Sequence, residues 1–440
     1  MALSGIQIYK LLPQTNCKEC GFPTCLAFAM KLAAKQVELT ACPYVTEESK
    51  AQLAESAAPP IRLITLKSDG HEVKVGNEVV MFRHEKTFYN RPGVFVKIRD
   101  DMAIDEIRQL VSIADGFSVN YVGIDLVIDG FAVEAVSTDG QKFASAVKAV
   151  RESSKKALIL MGGNPAVLGA GLSLLDGETC LIHGADGANW EAMADLAKQH
   201  KSALVVVADN LEQLADLTEK IKGKGVEDLV LDPAKRDLST SLILQTQVRR
   251  LALKQNYRPL GYPTITFPAS PMAAAQAIAK YAGFLVLDGF SPDLVYPLLV
   301  LRQNIYTDPQ KPIQVLPGLY EINHPKPEDP VLVTTNFSIT YFSVANEVEG
   351  SGLPAWLMVA DAEGMSVLTA WAAGKFDAER IAKSVKSFNV TEKVSRKRLV
   401  IPGHVAVLSG ELEGELPDWE IRVGPREAVD IPKFYKQVLQ

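Results

Sequence analysis

At 440 residues the chain is long enough for two or three domains, and its 47% hydrophobic content can fill sizeable cores. A formal net charge of −6 without a basic arm or stripe argues against a nucleic-acid partner. No apolar run approaches the roughly twenty residues of a membrane helix, residues 1–10 lack the form of a secretion signal, and the sparse cysteines point to a reducing cytoplasm.

Four of the five cysteines, Cys17, Cys20, Cys25 and Cys42, lie in the first tenth of the chain, and Cys180 stands alone. Their spacing, C-x2-C-x4-C-x16-C, lacks the two C-x2-C knuckles of a zinc ribbon. Three close cysteines with a distant fourth before Pro43 match the pattern of cubane iron–sulfur ligation, with a structural zinc as the alternative. One straight helix between Cys25 and Cys42 would part them by ~25 Å. The chain must therefore double back: an amphipathic helix from Leu26 over about ten residues, then a return through Gln36–Thr40. Gly21 and Pro23 shape the ligand loop, and a module this small depends on its metal.

Glu47–Pro60 reads as a linker, and Arg62–Leu66 with Glu78–Phe82 as a hairpin lid joined through Asp69-Gly70. Strand-like runs then recur at Val94–Ile98, Gly123–Ile128, Ala157–Met161, Cys180–His183, Ala203–Val207, Asp228–Leu231, Thr264–Phe267 and Gly283–Leu287. Amphipathic helices fill the intervals, including Met102–Ala114, Gln141–Arg151, Trp190–Gln199 and Leu211–Ile221. Apolar strands alternating with helices imply parallel pairing, and eight such units fit a closed (β/α)8 barrel, the open doubly wound sheet being the rival. His183 at a strand end reads as a hydrogen-bonded structural group, and Cys180 as a buried thiol.

Six prolines between Asn304 and Pro330 mark an interdomain crossing. Beyond it, strands at Val331–Thr334, Ala355–Val359, Leu399–Ile401 and Glu420–Val423 alternate with helices. Such a small open α/β sheet places a ligand crevice at the carboxyl ends of its strands. The small side chains of Leu368–Lys375 suit the close approach of a large flat ligand, or ordinary helix packing.

The cysteine pattern, the barrel and a C-terminal segment with Ser338-Ile-Thr-Tyr-Phe-Ser343 and Ile401-Pro-Gly-His-Val-Ala-Val407 resemble the large subunits of corrinoid iron–sulfur proteins of the acetyl-CoA (Wood–Ljungdahl) pathway. The resemblance spans the whole chain. It implies α/β architecture in three parts: a [4Fe–4S] cluster domain with linker at 1–58, a TIM barrel at 59–325, and a Rossmann-like corrinoid-binding domain at 326–440. It implies the cluster on Cys17, Cys20, Cys25 and Cys42, and a base-off cobamide held by the C-terminal domain. No D-x-H-x-x-G motif supplies an axial histidine.

The implied activity is carriage of a methyl group from a methyltetrahydrofolate methyltransferase to acetyl-CoA synthase/CO dehydrogenase. The implied partners are those enzymes, a small subunit completing a heterodimer, and a reductive activator. With strand-end placement and small size, the resemblance singles out as corrin contacts Thr340, Ser343 and Asn346; Ala370, Trp371, Ala372, Ala373 and Gly374; Gly403, His404, Val405 and Ala406; and Gly424 and Pro425. Two other readings stay open: a catalytic barrel with a pterin floor at Asp125, Asp209 and Asp288, or an electron-transfer subunit without its own corrinoid.

Overall fold

A computed structural model describes residues 5–33, 37, 39–46, 49–50, 53, 59–121, 123–308 and 313–439. Most of the linker expected at Glu47–Pro60, and part of the return at Gln36–Thr40, lie outside the described residues. By contact the chain divides into two compact units: residues 1–117 with 127–306, and residues 118–126 with 307–440.

The first unit contains a closed barrel. Its strands are β3 (Gly93–Arg99), β6 (Gly130–Glu134), β7 (Ala157–Met161), β8 (Leu181–Ala185), β9 (Ala203–Val207), β10 (Leu229–Asp232), β11 (Thr264–Thr266) and β12 (Ala282–Leu287). All neighbours pair in parallel, and β10 against β9 completes the ring, as the alternation of apolar runs and helices requires. Two short strands precede them, β1 (Ile64–Ser68) and β2 (His71–Val75), an antiparallel hairpin turning at Asp69-Gly70. Ile64, Leu66, Val73 and Val75 share one core with Phe95, Ile159, Leu181, Val230 and Phe284, and Val73 abuts Gly93 at the start of β3. The hairpin therefore plugs the amino-terminal end of the barrel. Its second strand is His71–Val75; Glu78–Phe82 forms no strand, because Glu78 turns inward to pair with Arg249.

Gly123–Ile128, expected as a barrel strand, belongs elsewhere. β4 (Val119–Tyr121) and β5 (Ile124–Leu126) form a hairpin within the second unit, and the barrel strand is Gly130–Glu134. Gly123 makes the turn at φ 83°, where a Cβ would meet the Tyr320 hydroxyl at 2.6 Å.

The rest of the second unit is a five-stranded sheet ordered β13-β15-β14-β16-β17, with β13 (Gly318–Ile322), β14 (Val331–Thr335), β15 (Ala355–Ala360), β16 (Arg398–Ile401) and β17 (Glu420–Val423). β13 is an antiparallel edge strand inside the proline-rich stretch, and by contact the described residues 313–325 group with this sheet. The other four strands are parallel. From β14 the chain steps to one side for β15 and to the other for β16, which makes the carboxyl end of β14 a topological switch point.

Candidate functional site

The cysteine module is built on two short helices, Gly5–Leu11 and Cys25–Ala33, and a 3-10 turn at Leu39–Ala41 that delivers Cys42. Cys25 and Cys42 are buried beside Ile8, Leu12 and Phe28, Cys20 packs against the same core, and Cys17 is exposed. The ligand loop is closed by reciprocal bonds: the Cys25 amide donates to Asn16 Oδ1 at 2.8 Å, and the Asn16 amide donates to Cys25 Sγ at 3.4 Å. Asn16, Lys18 and Gly21 take the left-handed conformation that folds Cys17 and Cys20 back toward the helix. Among the described residues no three His, Cys, Asp or Glu side chains converge as the ligands of one ion would.

At the carboxyl end of the barrel, Asp232 at the close of β10 is fully buried. It accepts His183 Nε2 at 2.9 Å and both Arg236 terminal nitrogens at 2.7 Å. Burial alone would raise this carboxyl, but the bonds from His183 and Arg236 outweigh it and hold the group at about 2. The Phe267 ring lies edge-on to His183 and beneath Arg236. Lys97 of β3 reaches both Asp288 at 2.5 Å and Glu134 at 3.5 Å. Of the acids considered for a pterin floor, Asp209 pairs with Lys235, Asp288 with Lys97, and Asp125 lies in the β4–β5 hairpin outside the barrel. Cys180 is buried and its thiol is pushed up to about 12, so it is no nucleophile near neutral pH.

The C-terminal sheet opens into a cavity. A cavity of about 590 Å³ lies at the carboxyl ends of β14, β16 and β17. The helix Ser338–Ser351, which follows β14, and the segment Pro425–Phe434 form its walls. Asn336 braces the floor: its Oδ1 accepts the amides of Ala362 and Gly364, and its Nδ2 donates to Asp361. Thr334 lines the cavity, is wholly buried, and its hydroxyl has no partner among the described residues. Such an orphan costs about 1–3 kcal/mol unless a ligand or water satisfies it. Ile339, Leu368 and Val429 also line the cavity and are exposed. His404 lies 3.8 Å from Glu427 on the same wall.

Residues 63–435 match the family model described as CO dehydrogenase/acetyl-CoA synthase delta subunit, and residues 12–44 match a putative Fe-S cluster model. The corrinoid/iron-sulfur protein large subunit of Moorella thermoacetica is 42% identical over 440 residues, covering 99% of this chain and 98% of the relative. The acetyl-CoA decarbonylase/synthase complex subunit gamma of Methanopyrus kandleri is 36% identical, with 99% and 98% covered. Its counterpart in Archaeoglobus fulgidus is 33% identical, with 97% and 96% covered. The chain belongs to this family of corrinoid/iron–sulfur protein large subunits.

Within the family fold, the residues expected to contact corrin divide into two groups. Thr340, Ser343, Asn346, His404, Gly424 and Pro425 line this cavity. The others do not. Ala370 and Val405 are fully buried in the core beneath the helices. Trp371, Ala372, Ala373 and Gly374 are exposed at the end of the helix Val367–Ala372, and Ala406 lies on the 3-10 turn after β16. Gly403 owes its small size to packing, since a Cβ there would sit 2.6 Å from the Gly424 carbonyl oxygen where the β16 and β17 loops cross. Lining residues that sequence reasoning passed over include Thr334, Val344 and Glu347. The last two were legible: Thr340, Ser343, Val344 and Glu347 recur at helical spacing on one face.

Proposed function

We propose that the protein is a methyl-group carrier of the acetyl-CoA pathway, holding a [4Fe–4S] cluster on Cys17, Cys20, Cys25 and Cys42 and a base-off cobamide at the C-terminal sheet. The single observation that carries the corrinoid assignment is the cavity at the switch point of β14, with an orphaned hydroxyl on its floor and an exposed apolar wall. Thr334, Thr340, Ser343 and Asn346 offer it neutral hydrogen-bonding groups, as a macrocycle carrying amide side chains requires. Bound, the cobamide supplies a cobalt nucleophile that accepts and hands on a methyl group, while the cluster supplies the low-potential electron that restores oxidised cobalt.

The chain's own residues bind and orient. Asn16 closes the cysteine loop, the small core around Phe28 fixes Cys25 and Cys42, and Asn336 holds the strand ends that frame the cavity. His404 lies at the cavity wall beside Glu427 and serves the periphery of the ligand. The carrier's partners are a methyltetrahydrofolate methyltransferase, acetyl-CoA synthase/CO dehydrogenase, a small subunit and a reductive activator, all in the cytoplasm.

The test is metal analysis and EPR of anaerobic protein purified with its small subunit. About four irons per chain and one cobalt per heterodimer, with base-off cobalt signals, are expected. Iron without cobalt would reduce the chain to an electron-transfer subunit.

A further inference from the structure

Asn16 stands immediately before the first cysteine and has no role in the ligand set. Yet it is bonded twice to Cys25, nine residues on, through its own amide at 3.4 Å to the sulfur and through its side-chain oxygen at 2.8 Å to the Cys25 amide. Its backbone is left-handed, φ 50°, a conformation that asparagine tolerates and most residues resist. The side-chain bond and the left-handed backbone together aim one N–H at Sγ of Cys25. Cys25 is buried and opens the helix Cys25–Ala33, whose Ala27 amide is already capped by Thr24 Oγ1.

We propose that Asn16 is a positioning residue that sets the reduction potential of the iron–sulfur cluster by holding its amide against the Cys25 sulfur. The inference rests on the assignment of the cluster to the four cysteines. An N–H pointed at a ligand sulfur stabilises the more negative, reduced cluster and so raises its potential. Loosening that donor lowers the potential and makes the electron harder to load. A negative charge at the same place lowers it further.

Asn16→Gly keeps the left-handed backbone and the N–H but removes the side-chain tie. Asn16→Asp keeps an acceptor for the Cys25 amide and adds the charge. Gln14→Ala, a control, alters another left-handed residue of the loop, whose bond goes to the Tyr9 carbonyl. The full chain with its small subunit is prepared anaerobically, its iron counted, and its cluster titrated with EPR detection. In both Asn16 variants four irons are retained and the midpoint falls, more for Asp than for Gly. At the wild-type midpoint the oxidised-to-reduced ratio of Asn16→Asp rises about tenfold, equal to about 59 mV for a one-electron couple. Gln14→Ala stays at the wild-type value. An unchanged midpoint and unchanged g values in Asn16→Gly with four irons retained overturn the proposal, even where the added charge of Asn16→Asp lowers its own midpoint. So does loss of the cluster from both variants while wild type keeps it, which makes Asn16 a structural residue only. A wild-type chain without four irons fails the cluster assignment itself.

Discussion

The barrel and the C-terminal sheet are both built from parallel strands that release their chain at a carboxyl end, the place where such sheets bind ligands. They use that end differently. In the barrel its polar side chains pair with one another: Asp232 with His183 and Arg236, and Lys97 with Glu134 and Asp288. In the C-terminal sheet it is open, with a cavity of about 590 Å³ and an unpartnered hydroxyl. Strand-end polar residues are thus ambiguous on their own. What separates a structural end from a binding end is whether the polar groups are already satisfied.

The sharpest way to break this contrast is to unpair the barrel. Asp232→Ala leaves His183 and the partly exposed Arg236 without their carboxylate, and solvent around Arg236 brings the cost below the ~3–5 kcal/mol of a fully buried pair. Chemical denaturation followed by near-ultraviolet circular dichroism is expected to show the barrel transition at lower denaturant, with cobalt content of the folded protein unchanged. Loss of cobalt from protein that remains folded would place ligand binding in the barrel.

Acid sharpens the same point. The folded Asp232 carboxyl, at about 2, lies below its ordinary value, so its stabilisation is full above about pH 4 and is lost as pH falls toward 2. The loss amounts to about 2 kcal/mol. Denaturation midpoints measured from pH 5 to pH 2.5 are expected to fall for wild type and to fall less for Asp232→Asn. Parallel falls would remove Asp232 from the account.

The smallest effect is expected at the cavity floor. Thr334→Val replaces the orphaned hydroxyl with a methyl group of similar shape. The cofactor-free protein gains about 1 kcal/mol, since a buried unsatisfied group is removed. Cobamide affinity, read by equilibrium dialysis, falls several-fold. A destabilised apo protein would show that the hydroxyl has a partner of its own.

Much of this contrast was hidden in the sequence, for reasons that differ by element. β7 and β9 were expected at their observed bounds, because Ala157–Met161 and Ala203–Val207 are unbroken apolar runs between helical patterns. The second barrel strand is Gly130–Glu134 and not the expected Gly123–Ile128, because Ile124, Leu126, Val127 and Ile128 make that segment mostly apolar too and nothing local says that its hairpin joins a different unit. β13 was lost in proline-rich sequence, which reads as a crossing even where an edge strand passes through it. The spacing of the cysteines points to a metal site, whereas the bonds of Asn16 to Cys25 depend on how the loop folds back. The cavity was half legible. Strand ends and a helix face pointed to Thr340, Ser343 and Asn346, which line the cavity, while the small size of Ala370 and Gly403 coincides with packing against neighbouring core and backbone. His183 and Asp232 lie 49 residues apart, and no local pattern pairs them.

The most direct test fills the cavity and counts metal. Ser343 is exposed on the helix Ser338–Ser351 and its hydroxyl donates to the Ile339 carbonyl of that helix, so Ser343→Trp projects bulk into the cavity without unpairing the core. Metal analysis of anaerobic Ser343→Trp protein is predicted to find about four irons per chain, as in wild type, and cobalt reduced at least tenfold. Full cobalt occupancy in that variant would contradict the placement of the corrinoid at the carboxyl end of β14.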